Sequence, residues 1–521
     1  MATSDDSTAS PETGPQAASA RDVGIVARGT GLGLLGSAAS QGFRALTYLL
    51  LAHLATREMD GFIVAGISVA WVLSTVGKGG FNWVVSRQVA IHHAAGDEER
   101  VKGDIYGSLL WTTVFSVALA LAVTLLAPEI ATRFYHKPAF AGPLVAFVWW
   151  VPPTALVIVL VSAVLAAGSA RPRVWVRDFV VPAIFLALGP LAVVVWHSAA
   201  AAGVAYTFSA VVGLALGFYY LYRFFPGLRT GRALCDHKLL VALSLPLMIT
   251  DLASAGQAQA DRSLVLRLAT AGDTAVYINA VQLALLATMA LTALNQIQAP
   301  VISRLYHQGQ RAQLDALLKT FTRLCLTASA PLCALLIGLA GPLMGILGPQ
   351  YVAGAAVLQI ASLGVLVNVA TASVGMSLLM TGHQWLVFAT SVGSLALLVG
   401  GVWWLTPAYG IAGAAIGLAV AMAASNLVNL VLEIRYVRVN PWTPAMLKSL
   451  AAAAISGGVA WGLAHLLGLT GQEGLRLLLP VDLGLVVVSL GIYAGMIWLL
   501  GVEEADKEAA RAVGERLRRR R

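Results

Sequence analysis

Apolar stretches recur along the whole chain, and they constrain the fold more than any other feature. A helix needs about 20 predominantly apolar residues to cross a bilayer, and fourteen stretches of that kind can be placed. The charged fraction is 11%, whereas soluble chains are about a quarter charged. We expect an all-α polytopic membrane protein with spans near residues 31–56, 62–85, 106–127, 143–167, 178–196, 201–221, 240–267, 275–299, 320–341, 354–379, 385–405, 410–432, 446–466 and 480–500.

The basic residues predict which side of the membrane each connection faces. With the N-terminus inside and fourteen spans, 26 of the 34 Lys and Arg residues fall in cytoplasmic segments and five fall outside. Cytoplasmic loops carry the excess of Lys and Arg in membrane proteins. The net charge of +9 therefore reports topology and not a nucleic-acid partner, and we expect both termini to be cytoplasmic.

The two ends of the chain are polar. Residues 1–28 are predicted to form a disordered cytoplasmic tail, because their start lacks the basic residues and the apolar core of a signal peptide. Residues 501–521 are predicted to form a basic cytoplasmic tail. Its closing run of arginines is expected either to be solvated or to contact anionic lipid.

The sequence contains an internal repeat. A shift of 214 residues aligns the first apolar stretch with the seventh without a gap, so that Ser40 meets Ser254 and Pro128 meets Pro342. Six spans separate equivalent positions, and both repeats therefore enter the membrane from the same side, as parallel repeats do. We expect two six-helix lobes around a central cavity, with two further helices. The predicted bounds are 29–222 for the N-terminal lobe, 239–436 for the C-terminal lobe and 445–500 for the added helices.

Charged groups inside the apolar stretches are the first candidates for a functional site. Arg44 lies near the middle of the first stretch, where a guanidinium is costly unless it faces a cavity or a partner. Polar residues of the seventh stretch share one face of a helix. They either line a cavity that binds substrate or protons, or form an internal ion pair in which Asp251 or Asp261 pairs with Arg44 or Arg262. The candidate substrate and cavity residues are Arg44, Lys78, Asp251, Gln257, Asp261, Arg262, Asn295 and Gln296.

Three of these candidates have a second interpretation. Lys78 lies in the cytoplasmic third of the second stretch, and its side chain either extends to the interface or reaches the cavity. Asn295 and Gln296 precede Pro300. They either cap a broken helix end or line the inner mouth of the cavity.

The sequence lacks the motifs of several other classes of protein. Residues 31–36 read GLGLLG, but the dinucleotide fingerprint requires a preceding strand, and small residues at this spacing let membrane helices approach closely. The sequence has no nucleotide-binding loop, no cluster of metal ligands and no pair of cysteines on the oxidising side. We expect no catalytic residues, no cofactor, no bound metal and no nucleic-acid partner.

A series of short motifs carries a family resemblance. They are LAHL at 51–54, GF at 61–62, Ser68, GG at 79–80, Arg87 and Ala90, then Pro246, Asp261-Arg262, Tyr277, Asn295-Gln296, Pro300 and Ser303. Over roughly residues 28–440 the chain resembles the polysaccharide-biosynthesis (Wzx-type) flippases of the multidrug/oligosaccharidyl-lipid/polysaccharide (MOP) exporter superfamily. It departs from them at His53, where a basic residue is common, and at Ala55-Thr56, where Leu-Gly is common. Arg44 is followed by Ala45, unlike the Arg-Asp pair of the lipid II flippases.

The resemblance implies a function. Such proteins are V-shaped, alternating-access carriers that move undecaprenyl-diphosphate-linked oligosaccharides from the cytoplasmic to the periplasmic leaflet of the bacterial inner membrane. The cargo would be a repeat unit of O-antigen lipopolysaccharide, capsule or exopolysaccharide, and an H⁺ or Na⁺ gradient would drive transport. The implied partners are this lipid-linked oligosaccharide, membrane lipids, and a polysaccharide polymerase with its assembly proteins.

Three other functions compete with this one. A drug/cation antiporter of the same superfamily would need an acidic cavity, and a lipid II flippase would carry a related cargo. An integral-membrane glycan polymerase or ligase would use a sizeable external loop, whereas the external connections here are short. The intramembrane charges, Arg44, Lys78 and Arg262 against Asp251 and Asp261, favour an anionic substrate.

Overall fold

A computed structural model describes residue 36 and residues 39–229, 232–466 and 479–499, which fold into helices without strands. The first half begins with α1 (residues 39–54), which lies at the edge of the described residues. The helices that follow it are α2 (Arg57–Gly77), α3 (Phe81–Ala94), α4 (Glu98–Glu129), α5 (Ala141–Val148), α6 (Val151–Ala166), α7 (Val181–Trp196) and α8 (Ala199–Phe224). A π-helical segment (Arg173–Val180) leads directly into α7, and another (Ile130–Phe134) extends α4.

The second half begins with a long helix, α9, and ends with two helices that have no counterpart in the first half. Its elements are α9 (His237–Leu268), α10 (Ala271–Leu285), α11 (Met289–His307), α12 (Arg311–Gly338), α13 (Ala340–Ile346), α14 (Ala355–Ala370), α15 (Val374–Met380), α16 (Gln384–Leu432), α17 (Ala445–Leu466) and α18 (Leu479–Leu499).

Eleven helices of the described part are long and apolar enough to cross a membrane. One of them, residues 384–437, contains two of the predicted spans, because α16 is broken at Gly410, where φ is 61°. The chain folds back there closely enough that Gly413 packs against the carbonyl of Leu405 and Gly401 against Gly417. The all-helical membrane architecture is confirmed, whereas the count of fourteen spans stays a prediction.

The internal repeat is visible in where helices begin. Thr56 caps α2 by accepting a hydrogen bond from the amide of Met59, and Thr270, 214 residues later, caps α10 in the same way. A threonine hydroxyl satisfies one of the amides that a helix N-terminus leaves free. The same capping residue therefore starts the second helix of both repeats.

The two halves meet along α2. This helix packs against α9 and α10 of the second half as well as against its own half. The surface turned away from this contact is apolar; Leu125, for example, is 79% exposed. An apolar surface of this extent suits a lipid environment.

Topology prediction assigns the two ends of the helix bundle to opposite sides of the membrane. We call the end where α1 ends and α2 begins the predicted outer end, and the opposite end the predicted inner end. The N-terminus of α9 and the C-terminus of α2 both lie toward the predicted inner end.

Candidate functional site

A cavity of about 560 Å³ lies between the two halves. The first half contributes residues from α1, α2, α6, α7, α8 and the π-helical segment before α7, and the second half contributes residues from α9, α10, the turn after α10 and α13. The polar and aromatic lining residues include Arg44, Tyr48, Trp71, Trp150, Arg177, Asp178 and Tyr206 on one side and Gln259, Arg262, Asn279, Gln282 and Thr288 on the other. Its volume falls within the roughly 300–1,000 Å³ of ligand-binding pockets.

Three guanidinium groups line this cavity, from Arg44, Arg177 and Arg262. Arg44 and Arg177 are exposed to it, and among the described residues none of the three forms a salt bridge. Arg262 donates a hydrogen bond to Gln282 Oε1 at 2.9 Å, and its Nε has no partner. With Asp178 as the one carboxylate among the lining residues, the wall carries a net positive charge, which suits an anion.

Arg177 is not among the residues that the sequence marks as candidates, because it falls in a predicted cytoplasmic connection just before the fifth span. The structure places it on the π-helical segment, whose wider turns bring it to the cavity wall. π-Helical turns occur frequently at functional sites. Pro172 was the available signal, since proline favours the first turn of a helix and so indicates that the helix starts before residue 178.

Polar contacts join the two halves near the predicted outer end. Arg57 pairs with Asp273 at 2.6 Å. The fully buried carboxylate of Asp60 accepts hydrogen bonds from Asn279 Nδ2 at 2.8 Å and from the Tyr351 hydroxyl at 2.7 Å. These contacts hold α2 against the second half at this end.

Two more cations join the halves near the predicted outer end by donating hydrogen bonds to backbone carbonyl oxygens. Lys137 donates to the carbonyl oxygen of Leu266 at 2.6 Å, and Arg267 donates to that of Phe134. Gly61 packs directly against the carbonyl of Ala271, where a Cβ atom would clash. The backbones of α2 and α10 are therefore in close contact here.

Nearer the predicted inner end, a second ion pair joins the halves. Lys78 Nζ lies 2.6 Å from Asp251 Oδ2, and the indole nitrogen of Trp83 donates to Asp251 Oδ1 at 3.0 Å. Gly80 packs against the carbonyl of Ser244 on α9. Lys78 and Asp251 are thus brought together, but neither is among the residues that line the cavity.

The remaining candidates of the seventh span lie within the second half. Asp261 is 2% exposed and accepts a hydrogen bond from the Tyr277 hydroxyl at 2.8 Å. Gln257 donates to Ser394 at 3.0 Å. Of the two alternatives for this stretch, the ion pair with an arginine is absent: within the described residues Asp251 pairs with Lys78 and Asp261 with the Tyr277 hydroxyl, and neither pairs with Arg44 or Arg262.

Asn295 belongs to a hydrogen-bonded chain in the second half. Its Oδ1 accepts from Gln298 Nε2, and Gln298 Oε1 accepts from the Ser373 hydroxyl at 3.1 Å. The side chain of Gln296 lies outside the described residues. The described residues contain no group of three or more His, Cys, Asp and Glu side chains that could hold a metal ion.

Comparison with known proteins gives a consistent result. The sequence model of the family described as "Polysaccharide biosynthesis protein" matches residues 26–306, which is more than half of the chain. A search of curated protein sequences finds no match.

Several solved structures share the fold. An inward closed structure of the lipid II flippase MurJ aligns with a TM-score of 0.68 at 13% identity, covering 89% of this chain and 98% of that one. An inward-facing multidrug resistance transporter of the MATE family in the MOP superfamily aligns at 0.63 and 13% identity, covering 78% and 96%. The Vibrio cholerae MATE transporter VcmN aligns at 0.54 and 16% identity, covering 80% and 96%.

Proposed function

We propose, since the chain belongs to the polysaccharide biosynthesis protein family, that it is a flippase for an undecaprenyl-diphosphate-linked oligosaccharide. The cargo is a repeat unit of O-antigen, capsule or exopolysaccharide, and it moves from the cytoplasmic to the periplasmic leaflet of the inner membrane. The observation that carries the proposal is the cavity between the halves, with its three guanidinium groups and one carboxylate.

The cavity suits the diphosphate part of this cargo. Arginine binds phosphate through two parallel charge-assisted hydrogen bonds, which are about twice as strong as neutral ones. Arg44 and Arg177 come from the first half and Arg262 from the second, so a bound diphosphate would bridge both halves. The prenyl chain, which is apolar, would stay in the surrounding lipid.

The two sets of contacts between the halves provide the gates of an alternating-access cycle. At the predicted outer end, Arg57–Asp273 and the hydrogen bonds to the buried Asp60 join the halves and would form the outer gate. Lys78–Asp251 joins the halves nearer the other end. Translocation would require the outer contacts to separate while the inner ones remain, and an ion gradient, H⁺ or Na⁺, would supply the driving force.

The charge of the site separates an anionic cargo from a cationic drug, whereas the other competing functions need different tests. A drug/cation antiporter would place carboxylates where Arg44, Arg177 and Arg262 stand. Lipid II carries the same diphosphate, and so the cavity charge alone does not separate it from an oligosaccharide cargo. A polymerase or ligase would have to extend glycan chains, and the purified protein is expected to extend none.

The test is transport by the purified protein in liposomes. Fluorescent undecaprenyl-diphosphate oligosaccharide placed in both leaflets is quenched from outside by a membrane-impermeant reagent. We expect the fraction of fluorescence that the reagent cannot quench to fall when the protein is present. This fraction should stay high with the Arg44→Ala variant. Movement of lipid II and not of the oligosaccharide would identify the lipid II flippase instead, and movement of neither would overturn the proposal.

A further inference from the structure

An aromatic cluster forms part of the first-half wall of the cavity. The rings of Trp150 and Tyr206 are stacked, with centroids 4.5 Å apart and planes inclined by 9°. Phe185 lies 4.5 Å from Tyr206, and Trp71 lies 6.0 Å from Trp150. All four side chains line the cavity, and we call them the aromatic wall.

The aromatic wall is held in place from behind. Phe147 packs against Tyr206, with ring centroids 5.9 Å apart. Gly66 lies so close to Phe147 that it has no room for a Cβ atom, and Gly203 packs in the same way against Ala146, the neighbour of Phe147 in the chain. Trp150, Tyr206 and Phe185 are buried, whereas Trp71 is only half-buried. The rings are therefore preset before a ligand arrives, which lowers the entropy lost on binding.

Polar atoms around the aromatic wall have no partner within the protein. Trp150 is 3% exposed and its indole N–H makes no hydrogen bond, although a buried indole N–H usually finds an acceptor. On the facing wall, Asn279 Oδ1 and Gln259 Oε1 are buried acceptors without donors. Such atoms are costly to leave unpaired.

This mixture of donors and acceptors differs in chemistry from the guanidinium groups. Phosphate oxygens only accept hydrogen bonds at neutral pH, so they cannot satisfy Asn279 Oδ1 or Gln259 Oε1. A hydroxyl group both donates and accepts. A ligand part that carries several hydroxyl groups around an apolar ring face would satisfy both the unpaired atoms and the aromatic rings.

We propose that the aromatic wall is the subsite for the sugar ring attached directly to the diphosphate. This inference rests on the proposed function and adds the place of the sugar to that of the phosphate. The C–H face of a pyranose carries partial positive charge and packs on the negatively polarised face of an aromatic ring, here that of Trp71. Hydroxyl groups at the ring edge reach Trp150 Nε1 on one side and Asn279 and Gln259 on the other.

The prenyl chain is the alternative occupant of an apolar wall, and the same atoms argue against it. A hydrocarbon would leave the buried indole N–H of Trp150 and the buried amide oxygen of Asn279 without hydrogen-bond partners, and unpaired buried polar groups are costly. The sugar has no such disadvantage. The subsite therefore selects for a pyranose in the position next to the phosphate.

The experiment compares two ligands that differ only in the sugar. Binding of undecaprenyl diphosphate, and of undecaprenyl diphosphate bearing a single hexose, is measured by calorimetry on the detergent-purified full chain. We expect Trp71→Ala to weaken binding of the hexose-bearing ligand about tenfold and to leave the bare diphosphate unchanged. Trp71→Phe keeps an aromatic ring and should lose less affinity for the hexose-bearing ligand. Arg44→Ala should weaken the binding of both ligands.

Trp404→Ala is the matched control, because Trp404 is 78% exposed and is not among the lining residues; it should change neither affinity. Equal losses for both ligands, or no loss for either, would overturn the sugar subsite alone. If Trp71→Ala does not fold, Phe185→Leu provides the same comparison. Failure of the unsubstituted protein to bind either ligand would overturn the proposed function and this inference with it.

Discussion

Tyr351 donates a hydrogen bond to the carboxylate of Asp60 at 2.7 Å, although 291 residues separate them in the chain. Asp60 is in the first turn of α2 and fully buried, and Tyr351 comes from the second half. The second donor to the same carboxylate, Asn279, also belongs to the second half and lines the cavity. Asp60 thus lies at the boundary between the cavity and the predicted outer end.

Removing the Tyr351 hydroxyl should favour opening of the outer end. Tyr351→Phe leaves the buried carboxylate with one donor fewer, which costs ~1–3 kcal/mol, and the opening equilibrium should shift by about 5- to 150-fold. A cysteine at the cavity position Gln282 should then react faster with an impermeant maleimide added from outside. Tyr409→Phe, at a residue 65% exposed on α16, should not change the rate. An unchanged rate with Tyr351→Phe would contradict this function of Asp60.

Breaking the inner ion pair should destabilise the contact between the halves. The side chains of Lys78 and Asp251 are only 15% and 17% exposed. Lys78→Ala should therefore lower the free energy of unfolding by about 1–3 kcal/mol, between the values for exposed and buried pairs. Thermal unfolding measures it, and the exchanged pair Lys78→Asp with Asp251→Lys should recover part of the stability. Lys319→Ala breaks an exposed pair with Asp315 and should cost at most ~0.5 kcal/mol. Independent, additive effects at residues 78 and 251 would contradict the pairing.

The architecture was predictable because a membrane span leaves a strong signal in one dimension. Apolar length alone located the helices, and the 214-residue repeat is matched by the equivalent caps Thr56 and Thr270. The span across residues 143–167 is interrupted in the structure between α5 and α6. Two adjacent prolines at the start of α6 explain the interruption, since proline removes a backbone donor.

The candidate site was only partly predictable, because pairing depends on three-dimensional neighbours. Two of the candidates, Arg44 and Arg262, are among the residues that line the cavity, and their role in binding stays a prediction. An ion pair of Asp251 or Asp261 with an arginine was one of two alternatives for the seventh stretch, and in the structure Asp251 pairs with Lys78 instead. Asp60 was not singled out, because an acidic residue in the first turn of a helix is common for local electrostatic reasons, and its contact with Tyr351 is invisible in the sequence.

Both termini should lie on the cytoplasmic side. The expectation rests on the division of Lys and Arg into 26 inside and five outside and on the rule that cytoplasmic loops carry them in excess. A reporter fused after Gly501 should read cytoplasmic. One inserted near Ala199, between α7 and α8, should read external. An external reading at Gly501 would contradict the predicted topology, either its even number of spans or its assignment of outer and inner ends.

Arg44 should be needed for transport more than for stability. Since it forms no salt bridge within the described residues and is exposed to the cavity, Arg44→Ala leaves no buried carboxylate unpaired, and thermal unfolding should be nearly unchanged. Transport should fall by about 10- to 150-fold, as expected for a lost hydrogen bond to a charged group at ~1.5–3 kcal/mol. Arg44→Lys should retain part of the transport activity, because the charge persists while the bidentate hydrogen bonding to phosphate is lost.

Arg177 should behave in the same way if the cavity holds the diphosphate. Arg177→Ala should reduce transport without loss of stability, and Arg171→Ala supplies the control, since Arg171 is exposed at the start of the same helical segment and is not a lining residue. The liposome assay and thermal unfolding, measured on all four variants, separate binding from folding. Full transport by a stable Arg44→Ala protein would show that the guanidinium does not hold the cargo. A large loss of stability would show instead that it supports the fold.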